Sequence, residues 1–358
     1  MRKKIILAVA VTFACTSLFA KVWRINNNIG VSADFSLAQQ AHDDVSVLSG
    51  DTLYFEHSSM TYGGLLLTKT LKLIGAGYFL TANPGLQYTT TAPRLDGITV
   101  RSSASNSVIS VSSTGVYLDS VNNISILRCY TYDITLLGSK NTTISNCFVS
   151  GDISIQAKIY IGGGECKLTG CTGTAIFNNI IGANLNQQQM AYGSVCTPNW
   201  VMPHSSTVFN NSIYGNVNNF TGSFYNNISS QIMVSGGSSV NNNIFYNAIT
   251  SCFRRTYTTV DNYDQVTLEP GNANQFSVTR ASLYTNAASQ IPDTAWRLTP
   301  GSAAIGAGTG GVDCGATGGN AAFVFGMPPS IPTIYKLNVA PAASGNSIGV
   351  TISTKSNN

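Results

Sequence analysis

Three short strings of this chain are near-copies of one another. They are Val116-Tyr117-Leu118, Ile134-Thr135-Leu136 and Ile153-Ser154-Ile155, separated by steps of 18 and 19 residues. An offset pair travels with them, Ile126…Cys129 returning 18 residues later as Ile144…Cys147. Further along, an Asn pair recurs at Asn178-Asn179, Asn210-Asn211, Asn226-Asn227 and Asn242-Asn243, with steps of 32, 16 and 16. Short β-rich units with such a period specify a solenoid, in which each turn of chain lies on the one before. The expected strands are three to five residues long with alternate side chains inward, and Gly, Asn and Ser occupy the corners. Stacked Asn side chains can hydrogen-bond along such a pile, and Asn also tolerates the left-handed backbone of a corner.

Only 9% of the residues are charged while 43% are hydrophobic, which excludes a disordered chain. The N-terminus reads as a secretory signal over residues 1–20: Arg2-Lys3-Lys4, an apolar stretch from Ile5 to Phe13, and Leu18-Phe19-Ala20 before the expected cleavage point. Cys15 is a lesser candidate, as the attachment point of a lipid anchor. Of 19 basic and 15 acidic residues, three basic ones precede the cleavage point, leaving a mature chain near +1. That balance gives no electrostatic case for nucleic acid or an anionic membrane surface. The apolar stretch is too short for a membrane span. The chain is therefore expected at the cell surface or outside the cell.

Residues 21–321 are expected to form the solenoid and 322–358 a small C-terminal β cap or appendage. Asp34-Phe35-Ser36-Leu37-Ala38-Gln39-Gln40-Ala41 suits a short amphipathic helix covering the open first turn. Early strands are expected at Thr52–Phe55, Leu65–Leu67 and Leu71–Ile74, followed by a long loop over residues 78–106 with Pro84 and Pro93. Between Ile181 and Thr207 the doubled Asn step allows either an extra turn or a loop bulging from the pile. Ile334–Leu337 and Ile348–Ile352 read as two strands closing the far end.

Seven cysteines follow the signal: Cys129, Cys147, Cys166, Cys171, Cys196, Cys252 and Cys314. Cys129 and Cys147 fall on adjacent turns about 4.8 Å apart, within disulfide reach or simply two reduced members of an interior ladder. The others leave the pairing open. No cysteine or histidine spacing suits zinc.

Gly50-Asp51-Thr52-Leu53-Tyr54-Phe55, with Leu71-Lys72-Leu73-Ile74-Gly75-Ala76-Gly77-Tyr78, resembles the first turns of secreted bacterial right-handed parallel β-helix proteins. Arg297-Leu298-Thr299-Pro300-Gly301-Ser302-Ala303-Ala304-Ile305-Gly306-Ala307-Gly308, then Val312-Asp313-Cys314-Gly315-Ala316, is similar to their closing segment. The resemblance covers roughly residues 30–340 and implies an all-β, single-stranded, right-handed parallel β-helix of the pectate-lyase-like superfamily. That group includes pectate lyases, polygalacturonases, alginate epimerases and adhesin-like proteins. The Asn-Thr-Asp, Asp-Asp and Gly-His-Gly strings of polygalacturonase-like members do not occur, nor does the Arg-x-Pro-x-x-Arg string of pectate-lyase-like ones.

Asp133 and Asp152 each precede a matching strand, which puts both carboxylates on one edge of neighbouring turns about 5 Å apart. So placed they can hold calcium, divide acid and base roles, or stand as two solvated corner residues. His204, with Trp200 and Tyr192, forms a second candidate: two aromatic rings for stacking on sugar and an imidazole base, or a ring pinning an insert. Arg254 and Arg255 can pair with an acidic sugar or form a solvated face. Asp313 is expected to cap a turn. The leading expectation is a structural or binding scaffold for polysaccharide or cell-surface glycan. The alternative is a polysaccharide lyase or glycoside hydrolase with a divergent site. No cofactor beyond possible calcium is implied.

Overall fold

The computed structural model describes residues 20–162, 165–187, 204–235, 238–247, 252–255, 263–266, 272–326, 331–339 and 348–356. Residues 1–19 of the expected signal, among them Cys15, and Tyr192, Cys196 and Trp200 lie outside them.

The chain is a parallel β-helix. Ile134 pairs with Val116 on one side and Ile153 on the other, and Leu136 lies between Leu118 and Ile155. The three copied strings are thus successive rungs of one sheet. Each turn crosses three sheets. A ten-stranded first sheet runs from Val22–Ile25 to Ser239–Asn241. A six-stranded second sheet, of two-residue strands, runs from Tyr130–Thr131 to Ile244–Phe245. A ten-stranded third sheet runs from Gly64–Leu67 to Tyr263–Val266. In the first and third sheets alternate residues face inward, as at Gly115–Asp119 and Asp133–Leu137, and Ile, Leu and Val stack in one continuous core. Each such aliphatic side chain contributes about 1.5–3 kcal/mol on burial.

The corner between the first and second sheets separates two properties of asparagine. The first Asn of each pair takes the left-handed conformation, with φ of 52° at Asn178 and Asn210, 56° at Asn226 and 53° at Asn242. The second is fully buried and binds along the pile. The Asn179 N–H donates to Asn211 Oδ1 (3.0 Å), that of Asn211 to Asn227 Oδ1 (2.9 Å), and that of Asn227 to Asn243 Oδ1 (2.9 Å). Asn243 continues to Asn274 at 3.0 Å. In the preceding direction the Cys147 N–H donates to Asn179 Oδ1 at 2.9 Å. Cys129 and Cys147 are therefore the first members of this same column. Their buried sulfurs lie 3.5 Å apart as free thiols, and the contact with Cys147 together with burial holds the Cys129 thiol protonated.

The doubled step from Asn178 to Asn210 adds no rung to the first sheet. Ala175–Phe177 pairs directly with Thr143–Ser145 behind it and with Thr207–Phe209 ahead of it. Between the first of these pairs the chain makes an antiparallel hairpin, Lys158–Gly162 against Glu165–Thr169. That hairpin leaves the pile where the third sheet passes to the first, and residues 188–203, the segment read as an extra turn or a bulging loop, lie outside the described residues. In the expected loop over 78–106, Gly97–Arg101 is instead a full rung of the third sheet, in register with Leu65–Leu67 and Val116–Leu118.

The second sheet accounts for the C-terminal segment. All its strands but Tyr130–Thr131 bury both of their residues, as at Phe148–Val149 and Ile180–Ile181, so its outer face needs a cover. Residues 276–326 supply it: Leu283, Tyr284, Trp296, Cys314 and Phe323 pack on Phe148, Ile180, Ile228 and Ile244. The Arg280 guanidinium sits 4.8 Å from the rings of both Tyr214 and Trp296, pinning this cover by cation–π contact. Asn178 Nδ2 donates to the carbonyls of Ala316 (2.8 Å) and Gly318 (2.6 Å). Asp313 closes a turn, its Oδ1 accepting from the Gly306 N–H at 3.0 Å. The cover thus begins well before residue 322. The last two strands, Thr333–Val339 and Val350–Lys355, form an antiparallel hairpin. That hairpin docks on the loop around Tyr88, whose N–H donates to the Ile334 carbonyl at 2.8 Å, rather than over the far end.

At the N-terminal end the helix Ala38–Asp43 buries Ala38, Ala41 and His42 against the first turns. Its N-cap is Leu37 without a side-chain bond. Asp34, which heads the expected helical string, accepts instead from the Arg24 N–H at 2.8 Å. Asp51 ties this end together, accepting from the Trp23 indole (2.8 Å) and from the backbone N–H groups of Lys21 (2.8 Å) and Leu48 (2.9 Å). Burial raises its pKa, but these donors outweigh that and hold it below the usual carboxylate range.

Two outcomes follow. Replacing Asn211 by Leu strands several buried polar partners and is expected to lower unfolding free energy by about 3 kcal/mol, against about 0.5 kcal/mol for the half-buried Asn218→Ser, in guanidinium titrations. The Asp51 carboxyl binds its proton less readily folded than unfolded. Its contribution is present above the unfolded pKa and lost as pH falls through the folded one. Asp51→Asn should therefore be less stable than wild type at pH 7 and lose less on acidification, in thermal melts followed from pH 7 to pH 3.

Candidate functional site

The outward residues of the third sheet form a polar surface on the central turns. One column, which includes Thr99, Tyr117, Thr135, Ser154 and Asn186, alternates with the inward aliphatics. Where Gly97 and Gly115 carry no side chain, a shallow groove of about 270 Å³ opens, bounded by Thr99, Thr114, Tyr117, Asp133 and Thr135.

Asp133 and Asp152 do lie on adjacent turns at the corner leading into this sheet. They form a ladder of their own. Asp133 Oδ1 accepts from the Asp152 N–H at 2.7 Å, and Asp152 Oδ1 from the Asn184 N–H at 2.7 Å. Asn184 Oδ1 accepts in turn from the Asn216 N–H at 2.9 Å. Asp152 Oδ2 also accepts from the side-chain amide of Asn186 at 3.1 Å. The column is continued by amides, and its work is to satisfy the N–H that each corner presents to the turn before it. Gly151 is required beside it, because an added Cβ would meet Asp133 Oδ1 and would lie 2.7 Å from the Tyr132 carbonyl oxygen.

A charged cluster that the sequence reading did not identify lies on the same face. Asp119 accepts from both Arg101 and Lys158. Burial raises its pKa, while Lys158, Ser120 and Arg101 together lower it below the ordinary range. Arg101 and Asp119 are 18 residues apart and in register on neighbouring rungs, so their meeting was readable from the repeat. Lys158 arrives from the base of the hairpin excursion, which no repeat announces. A carboxylate clamped between two cations is a weak base but a well-oriented acceptor.

The other candidates lie elsewhere. His204 is buried, 3% exposed, and its Nδ1 accepts from the Cys171 N–H at 3.2 Å, inside the pile rather than at the groove. Burial lifts the Cys171 thiol to about 11. Tyr192 and Trp200, proposed as its partners, fall outside the described residues. The backbone of Arg254 and Arg255 belongs to Cys252–Arg255, five rungs beyond Asp133–Leu137 in the third sheet, or roughly 24 Å away. Among the described residues no group of three or more His, Cys, Asp or Glu is disposed to hold a metal ion. No helix among them is long and apolar enough to cross a membrane.

Asn can replace Asp133 without breaking the ladder, because only one acceptor oxygen is used there. Asp133→Asn is expected to change stability by no more than about 0.5 kcal/mol, whereas Gly151→Ala should lower it by about 2 kcal/mol or more in the same denaturation assay. No protein-family model matches this chain, and no curated protein or solved structure matches it either.

Proposed function

We propose that the protein is an exported β-helix rod that binds polysaccharide or cell-surface glycan along its outer face without cleaving it. The observation carrying this reading is the state of its acids. Asp133 and Asp152 act as structural acceptors in a corner ladder, and the surface they border presents hydroxyls and amides. Such groups, with the ring of Tyr117, suit repeated weak contacts to sugar hydroxyls. The signal-like N-terminus and the resemblance to secreted β-helix proteins support export. The likeness to the pectate-lyase-like superfamily belongs to the same proposal.

One observation favours a second reading, that of a lyase or glycosidase. Arg101, Asp119 and Lys158 stand together on the face where a polymer would lie. Asp119 is the residue whose loss would silence such an enzyme.

Both readings meet in one experiment. The purified protein is incubated with a panel of neutral and uronic-acid polysaccharides, with and without calcium. Sedimentation with insoluble polymer, reducing ends and unsaturated-product absorbance are recorded. The expected outcome is co-sedimentation with at least one polymer and no product. Product formation abolished by Asp119→Asn would replace the binding reading with the enzymatic one. Failure to bind any polymer would leave a structural rod.

A further inference from the structure

A cleft of about 330 Å³ opens on the flank of the second sheet, near the first turns and away from the groove of the third sheet. The covering segment ends beside it, where the Tyr78 N–H donates to the Gly326 carbonyl at 3.3 Å. Its floor is aromatic. Phe79 and Tyr130 lie 5.1 Å apart, each is half-buried, and both rest on the buried rings of Tyr78 and Phe148. Phe79 holds a left-handed backbone with φ of 49°, rare for a bulky side chain. That conformation places its ring against Tyr130 and Phe148 at the cleft. The rim is polar: Ser59, Thr61 and Thr91 carry hydroxyls, and Arg94 is exposed. Among the described residues the Arg94 guanidinium makes no ion pair, unlike Arg101 and Arg24.

We propose that this cleft binds a single pyranose ring bearing an anionic substituent, a carboxylate or a sulfate. The proposal rests on the glycan-binding reading above and gives it a specific subsite. The volume, at the low end of small-molecule sites, admits one sugar ring and part of a neighbour. The C–H face of a pyranose is apolar and lies on aromatic rings, while its hydroxyls meet Ser and Thr at the edge. A carboxylate or sulfate matches the planar fork of an arginine. The cleft lies off the outer face of the third sheet, along which a polymer would run, so its occupant is a chain end or a side-branch sugar.

The test uses the full mature chain and four probes: the methyl glycosides of glucuronate, galacturonate, glucose 6-sulfate and glucose. Binding is read by saturation-transfer NMR titration and by calorimetry. The two anionic classes are expected to bind, and the neutral glycoside at least about tenfold more weakly. The two uronates against the sulfated sugar identify which anion the site takes. Arg94→Gln is expected to remove the preference for charge, and Tyr130→Leu to weaken every probe about tenfold. Tyr130 also packs on the core, so melting temperature is recorded beside it; if that variant fails to fold, Arg94→Gln alone decides. Equal binding of charged and neutral probes, or an unchanged preference in Arg94→Gln, overturns the proposal. Polysaccharide retained equally by wild type and both variants overturns the cleft while leaving the glycan-binding rod intact. Loss of all polymer and probe binding by the wild type overturns both.

Discussion

The structure depends on parallel pairing being kept in strict register from one turn to the next. A parallel pile offers every corner's N–H and C=O groups to the turn beyond, and a slip of one residue would turn the aliphatic row outward. Two side-chain columns hold the register where the sheets bend. One runs through Cys129, Cys147, Asn179, Asn211, Asn227, Asn243 and Asn274. The other runs through Asp133, Asp152, Asn184 and Asn216. Beyond the Cys129–Cys147 sulfur contact, a side-chain oxygen of one turn accepts an N–H of its neighbour in both columns, so each corner is oriented by an adjoining one. The low charge content agrees with this economy. Amides satisfy buried backbone groups without the desolvation penalty that buried ions carry.

Much of this was legible in the chain. The copied strings fall on consecutive rungs, the Asn pairs mark one corner, and the early strands at Thr52–Phe55 and Gly64–Leu67 lie where expected. These features repeat, and repetition makes local chemistry visible. The split role within each Asn pair was less legible, because sequence shows two identical residues where the backbone treats them differently. Gly97–Arg101 was hidden by Pro93 and by a long preceding loop. The hairpin Lys158–Thr169 was hidden because its alternating residues suit a protruding ribbon as well as a rung.

The candidate sites were less legible than the fold for a related reason. Asp133 and Asp152 stand where the spacing puts them, but their partners are backbone N–H groups that sequence cannot assign. His204 looked like a loop residue because the insert before it hid its return to the pile, where it lies beneath Cys171. The aromatic cleft brings Phe79 together with Tyr130, Ser59 and Arg94, which no common spacing connects. The C-terminal cover follows from composition only after the fact. Strands such as Phe148–Val149, Ile180–Ile181 and Ile244–Phe245, with both side chains apolar, need something outside them, and residues 276–326 supply it.

The hairpin Lys158–Thr169 departs where the third sheet hands over to the first, a corner that neither column occupies. Chain can be spliced in there, or shortened, without disturbing a single rung on either side. The rod and its ornaments are thus free to diverge at different speeds, with the spine conserving its period while the outgrowths try new surfaces.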